Sequence, residues 1–281
     1  MTTKVFSDTV CELGEGPLWH PERAQLFWFD ILGKRLLTRA GNDEHVWQFD
    51  ECVSAAGWVD RDTLIIASAS ALWRFDITTG ARGHLVALEA DDPLTRSNDG
   101  RADPQGGFWI GTMGYDAEPG AGAIYRYYRG ELRMLFDNIT ITNAICFAPD
   151  GSHAYFTDTI DARVMRQPLD ANGWPKGAPE VHLDLRGKDF GADGAVVDAE
   201  GNFWNAQWGA SRVACYAPDG ALIEAHNVPT SQASCPAFGG PGLTTLFVTT
   251  AAVDRPDDPE AGKTYSIDTT TKGQPEHRVI L

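Results

Sequence analysis

Four side chains with oxygen donors stand at nearly the same place in a pattern that the chain repeats. Asn98 and Asp193 each lie 11 residues before a tryptophan, and Glu15 and Asn143 each lie 13 residues before an aromatic residue. Two carboxylates and two amides, with no Cys or His among them, suit Ca²⁺, Mg²⁺ or Mn²⁺ and would also accept Zn²⁺. Hydrogen bonds within turns are the alternative role, because Asn and Asp are common in turns.

The repeated pattern consists of short apolar strands that follow turn-like segments. Six residues take equivalent positions in these strands, at spacings of 37, 44, 47, 48 and 43 residues: Trp28, Ile65, Trp109, Phe156, Trp204 and Phe247. A further strand of related pattern follows each of them, as in "KRLLTR", "ALWRFD" and "AIYRYY". The sequence therefore predicts an all-β fold, a six-bladed β-propeller of four-stranded blades, as a single domain over residues 1–281.

A β-sandwich is the alternative fold, but it gives no reason for two strand signals to recur in the same order six times. Closure of a propeller usually needs strands from both chain ends, and the apolar ends "KVF" and "HRVIL" are suited to it. The innermost strand of each blade lines the central channel, and it should run just upstream of each reference strand. We therefore expect Glu15, Asn98, Asn143 and Asp193 to converge on the axis. The other two repeats offer small residues there, in "CVSAAG" and "SCPAFGG".

The composition argues against several classes of partner. The 281 residues carry a net charge of −16, which disfavours binding to nucleic acid and to anionic membrane surfaces. No run approaches the ~20 apolar residues of a membrane span, and the N-terminus lacks the pattern of a signal peptide. The five cysteines are far apart and form no CxxC pair, which argues against a disulfide framework. We expect a cytoplasmic protein that acts on a small molecule, as a monomer or small homo-oligomer.

Several segments resemble one family in both order and spacing. They are "LGEGPLW", "RSNDGRADPQGGFWIGTM", "ITNAICFAPDG", "YFTDT" and "ADGAVVDAEGNFWNAQW", between about Glu12 and about Ala251. On these motifs the chain is similar to the sugar lactonases of the SMP-30/gluconolactonase family, which also includes regucalcin and luciferin-regenerating enzymes. The resemblance implies a six-bladed propeller with one divalent metal ion. Ca²⁺ is the first choice for that ion, and Zn²⁺, Mn²⁺, Mg²⁺ or Fe²⁺ are the alternatives.

The resemblance also assigns roles to residues. It implies metal ligands at Glu15, Asn143 and Asp193, and substrate contacts from Arg96 and Asn98 in the "RSNDG" segment.

Three neighbouring positions carry weaker implications. Asp99 is expected to brace the loop rather than contact substrate. The acidic residue that often reaches the substrate after the "GTM" motif corresponds to Asp116, although Gly114 and Tyr115 intervene in a variable loop. Ala144 departs from the family, in which many members have glycine after the metal-binding asparagine. We expect this small change to leave the ligand undisturbed.

Opening a lactone, which is a cyclic ester, requires a polarised carbonyl, an activated water and a site for the developing oxyanion. A divalent ion would supply the first and the third. Asp193 is the candidate general base, because a carboxylate at the metal can accept the proton of the water. We therefore predict a lactonase that opens an aldonolactone, such as glucono-, xylono-, arabinono- or galactonolactone, to the aldonic acid.

Two other functions remain open. One is another metal-dependent propeller hydrolase, an esterase or phosphotriesterase, and the other is a non-catalytic calcium-binding regulatory protein. Arg96 and Asn98 favour a sugar lactone over both, because they suit a polyol and because metal storage needs no substrate contacts.

Overall fold

Six antiparallel sheets of four strands each form a ring. The computed structural model describes residues 2–281, which contain 24 strands and one short 3₁₀ turn at Pro241–Leu243. The first strands of neighbouring sheets contact each other all the way round, and the last sheet contacts the first. The predicted six-bladed β-propeller is confirmed. None of the helical structure in residues 2–281 is long and apolar enough to cross a membrane.

Strand β1 (Thr3–Ser7) comes first in the chain, and blades 1 to 5 are each built from the next four consecutive strands. Blade 1 comprises β2 (Gly14–His20), β3 (Gln25–Asp30), β4 (Arg35–Ala40) and β5 (Asp43–Gln48). Blade 2 comprises β6 (Val53–Asp60), β7 (Thr63–Ser68), β8 (Ala71–Asp76) and β9 (Arg82–Ala87). Blade 3 comprises β10 (Thr95–Ala102), β11 (Phe108–Gly114), β12 (Gly122–Tyr128) and β13 (Glu131–Ile139).

The remaining three blades follow the same order, with the innermost strand first. Blade 4 comprises β14 (Thr142–Phe147), β15 (His153–Asp158), β16 (Arg163–Pro168) and β17 (Glu180–Asp184). Blade 5 comprises β18 (Gly191–Val197), β19 (Phe203–Trp208), β20 (Arg212–Tyr216) and β21 (Leu222–Asn227). Blade 6 comprises β22 (Ala233–Gly239), β23 (Thr245–Thr250), β24 (Thr264–Asp268) and, as its outermost strand, β1.

Strand β1 closes the ring. It pairs antiparallel with β24, with Val5 opposite Tyr265, so the "KVF" end completes the last blade as expected. The "HRVIL" end does not join that blade, which corrects the expectation for this segment. It lies across blades 2 and 3, where the backbone N–H of Val279 donates to the carbonyl of Trp58 at 2.8 Å. The physical reason is that β1 already occupies the outer edge of blade 6.

The six reference residues of the repeat all lie on the second strand of their blades and are buried. Each packs against a neighbouring blade: Trp28 and Phe156 against the preceding blade in the ring, and the other four against the following one. The ring of Trp109 meets Phe147 of blade 4 edge-on at 5.4 Å, and the ring of Trp204 meets Phe238 of blade 6 at the same distance. The hydrophobic core therefore lies in layers between blades, and each layer depends on both neighbours.

A segment at the C-terminus, residues 272–281, covers the lower end of the channel, where the innermost strands end. We call it the tail. Its Glu276 forms a buried ion pair with Arg101 of β10. Its Gln274 donates through Nε2 to the carbonyls of Phe147 at 2.8 Å and Val197 at 3.0 Å. The tail thus links the lower ends of blades 3, 4 and 5.

The Arg101–Glu276 pair should matter to stability because both side chains are nearly buried, at 11% and 8% exposure. Substituting Glu276→Ala leaves the Arg101 charge buried without its partner, which typically costs about 3–5 kcal/mol. We expect the melting temperature to fall by about 6 °C or more. The control is Lys4→Ala, which removes an exposed pair with Asp268 and should cost less than about 1 kcal/mol. Equal melting temperatures for the two variants would contradict this expectation.

Candidate functional site

The upper end of the channel, where the innermost strands begin, holds a cavity of about 460 Å³. Its buried floor carries five of the predicted site residues: Glu15 from β2, Arg96 and Asn98 from β10, Asn143 from β14 and Asp193 from β18. The prediction that the four oxygen-bearing residues lie on innermost strands and converge is confirmed, and Arg96 joins them. Residues up to 178 positions apart in the sequence thus share one cavity.

An irregularity at the same place in each innermost strand accompanies this convergence. The pairing register with the second strand shifts between Glu15 and Leu18 in β2 and between Asn143 and Cys146 in β14. The shift in β18 spans Asp193 itself. A β-bulge bends a strand and re-aims its side chains. The bulges therefore explain how one strand can both pair with its blade and present a side chain to the axis.

The backbone around Asp193 is fixed by its own blade and by the next one. The Nδ2 atom of Asn205, on β19, donates to the carbonyl of Asp193 at 2.9 Å and to that of Gly194 at 3.2 Å. A Cβ at Gly194 would lie 2.3 Å from Sγ of Cys235 in blade 6. Glycine is therefore required beside Asp193, and the backbone that carries the carboxylate is held in a defined position.

Glu15 and Asp193 are buried carboxylates whose surroundings disfavour ionisation. Burial raises the pKa of Glu15, and the neighbouring carboxylate of Asp99 raises it further. Burial also raises the pKa of Asp193 well above its usual value, with Glu15 as the next cause. Arg96 is the cation that opposes both shifts. Buried like charges are costly, and a bound cation would offset that cost.

A chain of hydrogen bonds orients the two amides. Nη1 of Arg96 donates to Oδ1 of Asn98 at 2.8 Å. Nδ2 of Asn98 donates to the carbonyl of Thr142 at 2.8 Å and to Oδ1 of Asn143 at 3.2 Å, while Nδ2 of Asn143 donates to Oγ1 of Thr159 at 2.9 Å. Because an amide oxygen accepts two bonds, Oδ1 of Asn143 keeps a lone pair that a metal ion could use.

Asp99 braces the site, as the sequence predicts. Its Oδ2 atom accepts a hydrogen bond from the backbone N–H of Ile145 at 2.7 Å, which ties blade 3 to blade 4 beside Asn143. Burial raises the pKa of Asp99 to about 6. Its position behind the floor, outside the cavity lining, agrees with a structural role.

Asp116 lies apart from the other predicted residues. Its side chain is exposed and does not line the cavity, while its neighbours Tyr115 and Ala117 do. A substrate contact from Asp116 stays a prediction that the cavity lining does not support. Its backbone N–H donates to the carboxylate of Glu118 at 3.1 Å, which holds the loop with the Asp116 side chain outside.

Most of the apolar lining of the cavity was not predicted from the sequence. Six large apolar residues line the cavity, and we call them the upper wall: Leu13, Leu32, Met113, Ile141, Trp208 and Val253. Leu32, Trp208 and Val253 stand four to six residues after a reference residue, at or just beyond the end of a second strand. Their common distance from the reference residues could have predicted these positions, because the segments that end the second strands surround the same cavity as the innermost strands.

The donor set fits a hard divalent cation. Two buried carboxylates and an amide oxygen, with Arg96 as the nearby positive charge, match the oxygen chemistry of Ca²⁺, Mg²⁺ or Mn²⁺. Residues 2–281 contain no cluster of three or more His, Cys, Asp or Glu side chains that could hold a metal. A metal at this cavity would thus depend on the Asn143 oxygen as well as on Glu15 and Asp193.

Fold and site together define a six-bladed propeller with a carboxylate and amide pocket on its axis. The chain belongs to the family described as "SMP-30/Gluconolactonase/LRE-like region", whose model matches residues 13–252.

Similar proteins support this assignment over nearly the whole chain. A "Putative sugar lactone lactonase" of Rhizobium meliloti is 42% identical, over 96% of this chain and 95% of that protein. An L-arabinolactonase of Azospirillum brasilense is 36% identical, over 96% and 92% of the two chains. The crystal structure of a calcium-binding protein, regucalcin, from Agrobacterium tumefaciens superposes with a TM-score of 0.97 at 41% identity, over 100% of this chain and 98% of that one.

The departure at Ala144 can be tested by stability. Ala144 has a φ of 58°, in the left-handed region that costs a residue with a Cβ about 1–2 kcal/mol, but its methyl group is fully buried. Ala144→Gly removes the backbone strain but also removes a buried methyl group, which stabilises the fold by about 0.8 kcal/mol. Because the two effects oppose each other, we expect the free energy of unfolding to change by less than about 1 kcal/mol. Ala162 has a φ of 56° but is half-buried, so the matched variant Ala162→Gly should be clearly stabilising. Denaturant unfolding of both variants measures the difference, and a large loss for Ala144→Gly would contradict it.

Proposed function

We propose that the chain opens a sugar lactone to the aldonic acid with the help of one divalent metal ion, with Ca²⁺ as the first choice. The lactonase assignment rests on family membership and on relatives that are named as lactonases. The observation that carries the finer proposal is the convergence of Glu15, Asn143 and Asp193, from three blades, on the floor of one cavity.

The three converging residues would hold the metal ion through oxygen atoms. When bound, the ion would polarise the lactone carbonyl and stabilise the negative charge that develops on its oxygen. The similar regucalcin from Agrobacterium tumefaciens is described as a calcium-binding protein, which supports a bound divalent cation in this chain.

Asp193 would accept the proton of the attacking water. Asp193 lies on the buried floor, where a bound cation would keep its carboxylate ionised, and an ionised carboxylate beside the water can accept a proton. The Asn205 contacts fix its backbone, so the carboxylate stays at the floor while the substrate changes shape.

Arg96 and Asn98 would hold the substrate beside the metal. Both lie on β10 and are joined by their own hydrogen bond, so they act as one unit. Arg96 lines the cavity, and the hydrogen bonds made by its Nη1 leave other N–H groups of the guanidinium to donate to a sugar oxygen. Asp116 has no place in this scheme because its side chain lies outside the cavity lining.

A metal-dependent aryl esterase is the second candidate. The apolar upper wall is the observation that favours it, because an aromatic leaving group would pack there. A panel of aldonolactones and an aryl ester such as phenyl acetate, assayed side by side, separates the two functions. Preferential hydrolysis of the aryl ester would replace the lactonase proposal.

Metal dependence can be tested by chelation. Removal of divalent ions should abolish lactone hydrolysis, and adding back single metals should restore it, with a rise in melting temperature because binding stabilises the folded state. Asn143→Leu should weaken metal binding in calorimetry because it removes one of three proposed ligands. Full activity of the rigorously stripped protein would defeat this part of the proposal.

The roles of the floor residues can be separated by substitution. Asp193→Asn keeps an oxygen ligand and removes the base, so we expect kcat to fall by about 10²-fold or more at saturating metal. Asn98→Ala should cost less, since it removes uncharged hydrogen bonds of about 0.5–1.5 kcal/mol each. Arg96→Ala should act mainly through KM.

The Asp193 variant requires calorimetric metal titration alongside the kinetics, with Asp116→Asn as the exposed control. If Asp193→Asn binds metal normally and keeps its kcat, Asp193 is a ligand only.

A further inference from the structure

The cavity has two layers of different chemistry. The polar floor comes from innermost strands, whereas the upper wall comes from loops and strand ends at the mouth of the channel. The floor residues are nearly fully buried, while Leu32, Trp208 and Val253 of the wall are half-buried. A molecule whose reacting group lies on the floor must therefore extend upward between apolar side chains.

Apart from the exposed side chains of Tyr115 and Asp254, the upper layer offers few partners for a hydroxyl group. Oγ1 of Thr159 already donates to the carbonyl of Ala192 at 2.8 Å and accepts from Asn143. Arg96 is the one cation among the residues of 2–281 that line the cavity, and it belongs to the floor. Asp254 adds an exposed carboxylate at the mouth, which would repel an anionic group.

We propose that the upper wall is a specificity subsite for the end of the lactone remote from its ester, and that it selects an uncharged, deoxygenated terminus. The preferred substrate class is then the 6-deoxyaldonolactones, whose C6 is a methyl group. This inference rests on the proposed function, because the lactone ester must lie on the floor for its tail to reach the wall.

The preference follows from the balance of two terms. A methyl group against Leu32 and Val253 gains from leaving water, whereas a hydroxyl at the same place loses water and finds no fixed partner. Since the mouth is open to solvent, the penalty for the hydroxyl is partial. We expect kcat/KM to favour a 6-deoxylactone over its 6-hydroxy parent by about 5-fold or more.

Matched pairs of lactones test this directly. Each pair has one configuration and differs only at C6: 6-deoxygalactono- with galactonolactone, 6-deoxyglucono- with gluconolactone, and 6-deoxymannono- with mannonolactone. A 6-phosphogluconolactone arm tests the charge. The expected order in kcat/KM is 6-deoxy, then 6-hydroxy, then 6-phospho, for every configuration that is hydrolysed.

Two substitutions test whether the wall is the cause. Leu32→Asn and Val253→Thr add polar atoms at nearly constant size, so the 6-deoxy preference should fall towards one in each and further in the double variant. Ile160→Asn is the matched control, because Ile160 is 65% exposed on the loop after β15 and does not line the cavity. The control should keep the wild-type ratio, and circular dichroism confirms that each variant is folded.

Each outcome decides between distinct conclusions. If no lactone in the panel or among pentonolactones is hydrolysed, the proposed function itself fails. If lactones are hydrolysed but the 6-hydroxy parent is equal or better, the function stands and the apolar subsite is overturned, with Tyr115 or Asp254 as the partner of the hydroxyl. Hydrolysis confined to pentonolactones, or unchanged ratios in Leu32→Asn and Val253→Thr, would also overturn it.

Discussion

The pairing of β1 with β24 is the interaction on which the rest of the structure depends. The apolar layers of this protein lie between blades, so each blade is half of two cores, and an open row of six blades would leave two core faces in water. Closure makes the innermost strands of blades 1 and 6 neighbours. The axis, and with it the cavity, exists only because the first and the last strand of the chain share one blade.

The site is a consequence of that closure. No blade contains more than a fraction of it: β2, β10, β14 and β18 each contribute one or two side chains to the floor. Neighbouring innermost strands also contact one another. Asp99 of blade 3 accepts a hydrogen bond from the backbone N–H of Ile145 in blade 4, and Gly194 of blade 5 leaves room for the side chain of Cys235 in blade 6. Small displacements between blades would therefore alter the spacing of the oxygen donors. This explains why a rigid ring suits a site whose oxygen donors must keep a fixed spacing.

The polar and the apolar residues that line the cavity come from different parts of the repeats. The floor uses residues inside the innermost strands, whose positions are fixed by pairing and by the bulges. The upper wall uses residues just before innermost strands and residues at or beyond the ends of second strands. Buried carboxylates on the floor are costly without a cation, while apolar wall residues are not. Members of one family can thus keep the floor and vary the wall.

The sequence by itself determined the number of blades, the order of strands and the four oxygen-bearing side chains on the axis. It could do so because the second strand of every blade is buried between neighbouring blades. Large apolar residues such as Trp28 and Trp109 therefore recur at regular spacing. Only the tertiary structure decided which loop side chains face the cavity, that Asp116 points away from it, and that the tail covers the lower end of the channel. Loops have no periodicity to reveal their direction, and contacts between blades exist only after the ring has closed.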